Sequence, residues 1–170
     1  HAGEVYLTDC HDALGITSTQ GWGKLGLDTG VVPPGRKPGP LRIGETVYKK
    51  GYGHHAKGEI VVPLPAGALS FRCLAGVQWQ ESKGGSVVLT VLVDGKERYR
   101  SPVLSVLSPA QKIEIDLRGA RQLILRASDN GDGIGCDVPN WVDPILVLDG
   151  SVPRFKGMKL TLNGTEPIWS

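Results

Sequence analysis

A chain of 170 residues is one domain by length and carries enough material for a buried core. Its formal charge of +2, with no Lys/Arg run longer than the pairs Arg36-Lys37 and Lys49-Lys50, argues against nucleic acid or an anionic membrane as a partner. No apolar stretch reaches the length of a membrane-spanning helix, and 24 Gly with 12 Pro point to many short elements joined by tight turns.

In chain order, residues 10–20 hold at most one helical turn, and 27–40 (LDTGVVPPGRKPGP) form a long Pro/Gly loop with core-like sequence on both sides. His54 and His55 are adjacent. In a regular strand they point to opposite faces, so one faces the core or a cleft and the other solvent, and both cannot ligate one metal. Residues 59–64 read as a strand that Pro63 places at an end or an edge. In 69–77 the odd positions are small or apolar and face a core, and 86–93 (SVVLTVLV) is the near-continuous apolar run of a central strand. Asp94-Gly95 accepts the positive φ angles of a type I′ turn and joins that strand to 96–100. Residues 112–117 alternate with Ile113, Ile115 and Leu117 inward, and 122–128 and 144–148 are two further strands. The expected fold is therefore all-β, a sandwich occupying residues 1–150, with 151–170 as a terminal strand or linker edge.

Cys10, Cys73 and Cys136 lack metal-ligand spacing and leave two readings open. Either all three are small buried side chains, or Cys10 and Cys136 form a bridge while Cys73 stays free. No signal peptide precedes His1, so the start reads as a processed or excised N-terminus.

The most polar segment is 128–137, with Asp129, Asp132 and Asp137 interleaved with three glycines. Such a loop can ligate Ca²⁺ through carboxylate and backbone oxygens or offer acceptors to sugar hydroxyls; the plain alternative is an Asx-rich turn. It lacks the ligand positions and closing Glu of an EF-hand.

A series of landmarks runs through the chain in order: Tyr6-Leu7-Thr8-Asp9, Trp22-Gly23, Asp28, Pro40-Leu41-Arg42-Ile43-Gly44, Tyr48 to Ala56, Glu59-Ile60, Gly76-Val77, Gly85-Ser86-Val87, Asp94-Gly95 and Asp129 to Asp143. Over about residues 5–149 this resembles the NPCBM domains, carbohydrate-binding module family 51. The resemblance implies a β-sandwich of jelly-roll, galactose-binding-domain-like type, a structural calcium ion, and recognition of galactose-containing glycans by loops at one end. It also implies attachment to a secreted, extracellular or periplasmic glycoside hydrolase. The chain departs from the family at His54, where a small residue is common, and at 78–83, where an acidic loop is replaced by Gln78-Trp79-Gln80-Glu81-Ser82-Lys83.

A galactose site pairs an aromatic face under the apolar side of the ring with polar groups on the hydroxyls. Trp79, between Gln78 and Gln80, is the stacking candidate, with a core Trp at a strand end as the alternative; Trp22 and Trp141 are expected to be structural. His55 leads the polar candidates, because a neutral imidazole both donates and accepts, followed by Asn130, Asp132, Asp137 and then Glu81. Asp28 and Asp143 are the candidate calcium ligands.

Two alternatives belong to other classes. One is a structural or adhesion sandwich that has lost sugar binding. The other is a small secreted copper oxygenase using His1 with His54 or His55. No nucleophile elbow, paired metal histidines or phosphate-binding glycine loop supports an enzyme.

Overall fold

The computed structural model describes residues 3–80, 85–129, 131 and 137–150, together with the backbone of 159–161 and 167–169. Among these, two antiparallel sheets enclose one continuous core, as the strand pattern predicts. The larger sheet runs β11 (Gln111–Asp116), β8 (Ala68–Val77), β13 (Pro139–Leu148), β1 (Gly3–Tyr6), β14 (Lys159–Thr161) and β15 (Pro167–Trp169). Beside the first half of β13 it also carries β6 (Gly51–Gly53) and, next to that, β3 (Gly26–Leu27). The smaller sheet runs β10 (Lys96–Arg100), β9 (Val88–Val93), β12 (Gln122–Ser128), β7 (Gly58–Pro63) and β2 (Thr17–Thr19). A ribbon of β4 (Leu41–Ile43) and β5 (Thr46–Tyr48) and one helical turn, α1 (His11–Leu14), complete the described elements.

The core follows the alternation of the strands. β8 turns Phe71, Cys73, Ala75 and Val77 inward, and β11 adds Ile113 and Ile115, with Leu117 just beyond it. Ile60 and Val62 of β7, Leu89 and Val91 of β9, and Leu123 and Leu125 of β12 belong to the same cluster from the other sheet. Each such side chain, fully buried, stabilises the fold by roughly 1.5–3 kcal/mol. Asp94 (φ 50°) and Gly95 (φ 80°) make the turn between β9 and β10, and the Asp94 carboxylate accepts the N–H groups of Arg121 and Gln122 at 2.9 and 3.0 Å.

Central strand β13 begins at Pro139, five residues before the expected start at 144. Pro144 and a left-handed Asp143 (φ 48°) suggest a break in sequence, but both sit at an irregularity where the register against β8 shifts between Val142 and Ile145. There β13 changes partner. Asn140, Trp141 and Val142 pair with Gly53, Tyr52 and Gly51, whereas Ile145 to Leu148 pair with Tyr6 to Gly3. The Pro144 carbonyl accepts Leu7 N–H at 2.8 Å, so the ladder continues through the irregularity.

Three expectations change. β6 ends at Gly53, so His54 and His55 lie beyond the strand and both are buried rather than one facing solvent. Cys10 and Cys73 are both free and buried, so the Cys10–Cys136 bridge is not formed; Cys136 itself lies outside the described residues. Burial pushes the Cys10 thiol up to about 12, so it stays protonated. Trp22, expected to be structural, is partly exposed.

Candidate functional site

At one end of the larger sheet three strands meet. β6 runs out into His54-His55, β13 enters from Asp137-Val138, and β8 runs out into Gln78-Trp79. Backbone hydrogen bonds lace these exits together: His54 N–H to Pro139 O at 3.0 Å, Ala56 N–H to Asp137 O at 2.9 Å and Gln78 N–H to Val138 O at 2.8 Å. Trp79 N–H continues the pattern to Arg42 O at 2.8 Å. The Pro/Gly loop after β3 lies against this end, because Gly53 has no Cβ. A Cβ there would fall on the backbone of Gly30 and Val31.

The two histidines have different duties. His54 is fully buried; its Nε2–H donates to Thr19 O at 3.0 Å, and its Nδ1 accepts the indole N–H of Trp141 at 3.4 Å. Burial lowers its pKa to about 4, so the ring is neutral at pH 7 and both nitrogens are used. His55 is 5% exposed and donates Nδ1–H to Ala56 O at 2.5 Å. That tautomer leaves the Nε2 lone pair as an acceptor. The His55 ring lies against Trp22, with centroids 5.6 Å apart and planes at 51°.

Trp22 is 40% exposed and Trp79 37% exposed. They are not equivalent. The Arg42 guanidinium lies 4.1 Å from the Trp79 ring centroid and covers one face, a cation–π contact that a sugar on that face would have to displace. Gln78 Oε1 accepts Asn140 Nδ2–H at 2.6 Å and Arg42 N–H at 3.2 Å, fixing the base of the Trp79 segment.

Asp137 is fully buried, and its Oδ1 accepts Ser86 N–H at 2.7 Å, so it pins the segment leading into β9. Asn130, Asp132 and Glu81 lie outside the described residues, as does His1. Sequence reasoning passed over the exposure of Trp22 and the placing of Arg42 over Trp79. The available signal for Trp22 was its setting in Gln20-Gly21-Trp22-Gly23-Lys24, where no apolar neighbour would draw it into a core.

Of the two residues named for calcium, Asp28 is engaged by protein groups. Lys50 Nζ stands 2.7 Å from Asp28 Oδ2 and 2.6 Å from Asp9 Oδ1, while Asp28 Oδ1 accepts from Thr8 Oγ1 at 2.7 Å and Gly51 N–H at 3.1 Å. Burial alone pulls the Lys50 ammonium down, but its hydrogen bonds to Asp28 and Asp9 outweigh this and leave its pKa raised. A protein cation already compensates Asp28, and a divalent ion there would meet its charge. Desolvation raises the pKa of Asp143. Among the described residues, no three His, Cys, Asp or Glu side chains gather into a metal cluster.

Comparison with known proteins gives the family. The model of the NPCBM/NEW2 domain matches residues 3–147. A putative endo-alpha-N-acetylgalactosaminidase of Renibacterium salmoninarum is 31% identical over 138 residues, covering 80% of this chain but only 9% of that protein. The CBM51 of a Clostridium perfringens GH95 protein, solved with methyl-galactose, is 27% identical with a TM-score of 0.72, over 84% of this chain and 99% of that one. CBM51-2 of Clostridium perfringens ZmpB, solved with GlcNAc and INT domains, has a TM-score of 0.76 at 23% identity, over 88% of this chain and 32% of that one, and shares the fold. The chain belongs to the NPCBM/NEW2 domain family and is a carbohydrate-binding module.

Proposed function

We propose that this module is non-catalytic and binds a galactoside at the end of the larger sheet where β6, β8 and β13 meet. The observation that carries this reading is Trp22, an exposed indole backed by the buried ring of His55. The indole removes the apolar face of a pyranose from water, and His55 Nε2 accepts one hydroxyl proton. Galactose is favoured because the GH95 module, alike in sequence and in nearly its whole length, is solved with methyl-galactose. Relatives in which such a module is a small part of a longer, catalytic protein support a tethered role, in which the module raises the effective concentration of a catalytic partner at its glycan.

His54 has both nitrogens engaged, which removes it from the copper alternative. A shallow single site corresponds to a Kd between micromolar and millimolar, about −4 to −8 kcal/mol. Calorimetric titration with methyl galactoside, lactose and GlcNAc tests the reading. Galactosides should bind, and Trp22→Ala should weaken them about ten-fold or more. A folded domain that binds no neutral sugar would instead be a structural module.

A further inference from the structure

Beside Trp22 the chain forms a second cleft, of about 420 Å³, lined by Gly23, Lys24 and residues 32–37. That volume lies within the roughly 300–1,000 Å³ typical of small-molecule sites. Three of its walls are cations: Lys24, Arg36 and Lys37, all exposed. None has a carboxylate partner among the described residues, as is also true of other surface cations such as Lys49, Lys96 and Lys112, but these three share one concavity. No acidic residue among the described ones lines the cleft. In a chain with a net charge of only +2, three uncompensated cations on one small concavity are a local concentration of charge.

The cleft is also held in shape. Lys24 and Val32 exchange two backbone hydrogen bonds of 2.9 Å, and a Cβ on Gly23 (φ 68°) would meet Val32 O at 2.7 Å. Pro33-Pro34 and the left-handed Gly35 (φ 67°) turn the chain so that Arg36 follows them into the lining. The lining combines the apolar surface of Val32, Pro33 and Pro34 with three cations, which suits a sugar ring bearing an anionic group better than a bare ion, which has no use for apolar surface.

We propose that this cleft is an acid-selective subsite, so that the preferred ligand is a galactoside whose neighbouring unit carries a carboxylate or a sulfate. This rests on the galactoside reading, because Trp22 adjoins Gly23 in the lining and would hold the neutral unit while the cleft takes the charged one. Arg36 can meet a carboxylate or sulfate with two parallel N–H donors, and the lysines add point charges.

The test is calorimetry of the whole chain with lactose, sialyllactose, sulfated lactose and inorganic sulfate, each at low and moderate salt. One acidic lactose should bind about ten-fold tighter than lactose at low salt, and the gain should shrink as salt rises. In Lys24→Ala/Arg36→Ala/Lys37→Ala the gain should vanish while lactose affinity and Tm stay unchanged. The carboxylated and sulfated ligands decide which anion is preferred. Equal binding of acidic and neutral lactose, a preference that survives the triple variant, or inorganic sulfate competing as well as the acidic glycan would each overturn the subsite. If lactose fails to bind the wild-type chain while an acidic lactose binds and loses that binding in the triple variant, the galactoside reading falls and the subsite stands.

Discussion

The imidazole of His54 accepts the indole N–H of Trp141 at 3.4 Å and thereby ties the two sheets together, since its other nitrogen donates to Thr19 O in the opposite sheet. One neutral ring thus satisfies two polar groups whose burial would otherwise cost free energy. It also positions the next residue, His55, under Trp22.

This makes stability pH-dependent. Burial lowers His54 to about 4 in the folded chain, against roughly 6.5 when unfolded. Between those values the unfolded chain binds the proton and the folded one does not, so stability falls as pH drops from 6.5 towards 4 and loses nothing more from this group below 4. The loss amounts to about 3 kcal/mol. Urea midpoints measured across pH 4–7 should show this fall, and His54→Gln should flatten it. A wild-type profile with no slope in that window would refute the assignment.

Lys50 bridges Asp9 and Asp28. Lys50→Met leaves two carboxylates close together without their cation and should cost about 2 kcal/mol at pH 7, less than a fully buried pair because Lys50 is part-exposed. Chemical denaturation at pH 7 reads the loss; an unaltered midpoint in the variant would show that the pair is dispensable.

Gly53→Ala places a methyl group on the backbone of Gly30 and Val31. The loop must lift off β6, at a cost of about 1–3 kcal/mol. Because that loop leads into the cleft wall, Gly53→Ala should also weaken binding of acidic glycans relative to the wild type, whereas Gly95→Ala, which meets no neighbour but has φ 80°, should cost stability through strain without changing glycan preference. Thermal melts and titrations of the two variants separate packing from conformation.

The two exposed tryptophans should respond differently. Trp22→Ala removes the platform, with a fall in galactoside affinity of about ten-fold or more. Trp79→Ala should cost less than about three-fold, since Arg42 already occupies one face of its ring. If Trp79→Ala abolishes binding and Trp22→Ala does not, the ligand lies on the Trp79 side and Arg42 is displaced on binding.

The local chemistry of the chain was enough to determine the sandwich. Alternating Phe71, Cys73, Ala75 and Val77, the Ile113–Ile115 pair and the Asp94-Gly95 turn each have one low-energy solution, because a period of two exposes one face to the core and only left-handed residues close that hairpin. The ordered landmarks likewise identified the family. Tertiary structure decided the rest. Whether an indole is exposed or core depends on what packs on it from distant parts of the chain, and so Trp79 was ranked above Trp22, and Arg42 could not be placed 4.1 Å from the Trp79 ring. The strand through Asp143-Pro144 continues only because β1 takes over from β6 there. Asp28 looked like a calcium ligand because a carboxylate carries no mark of its counter-ion, and Lys50 reaches it across 22 residues only after folding.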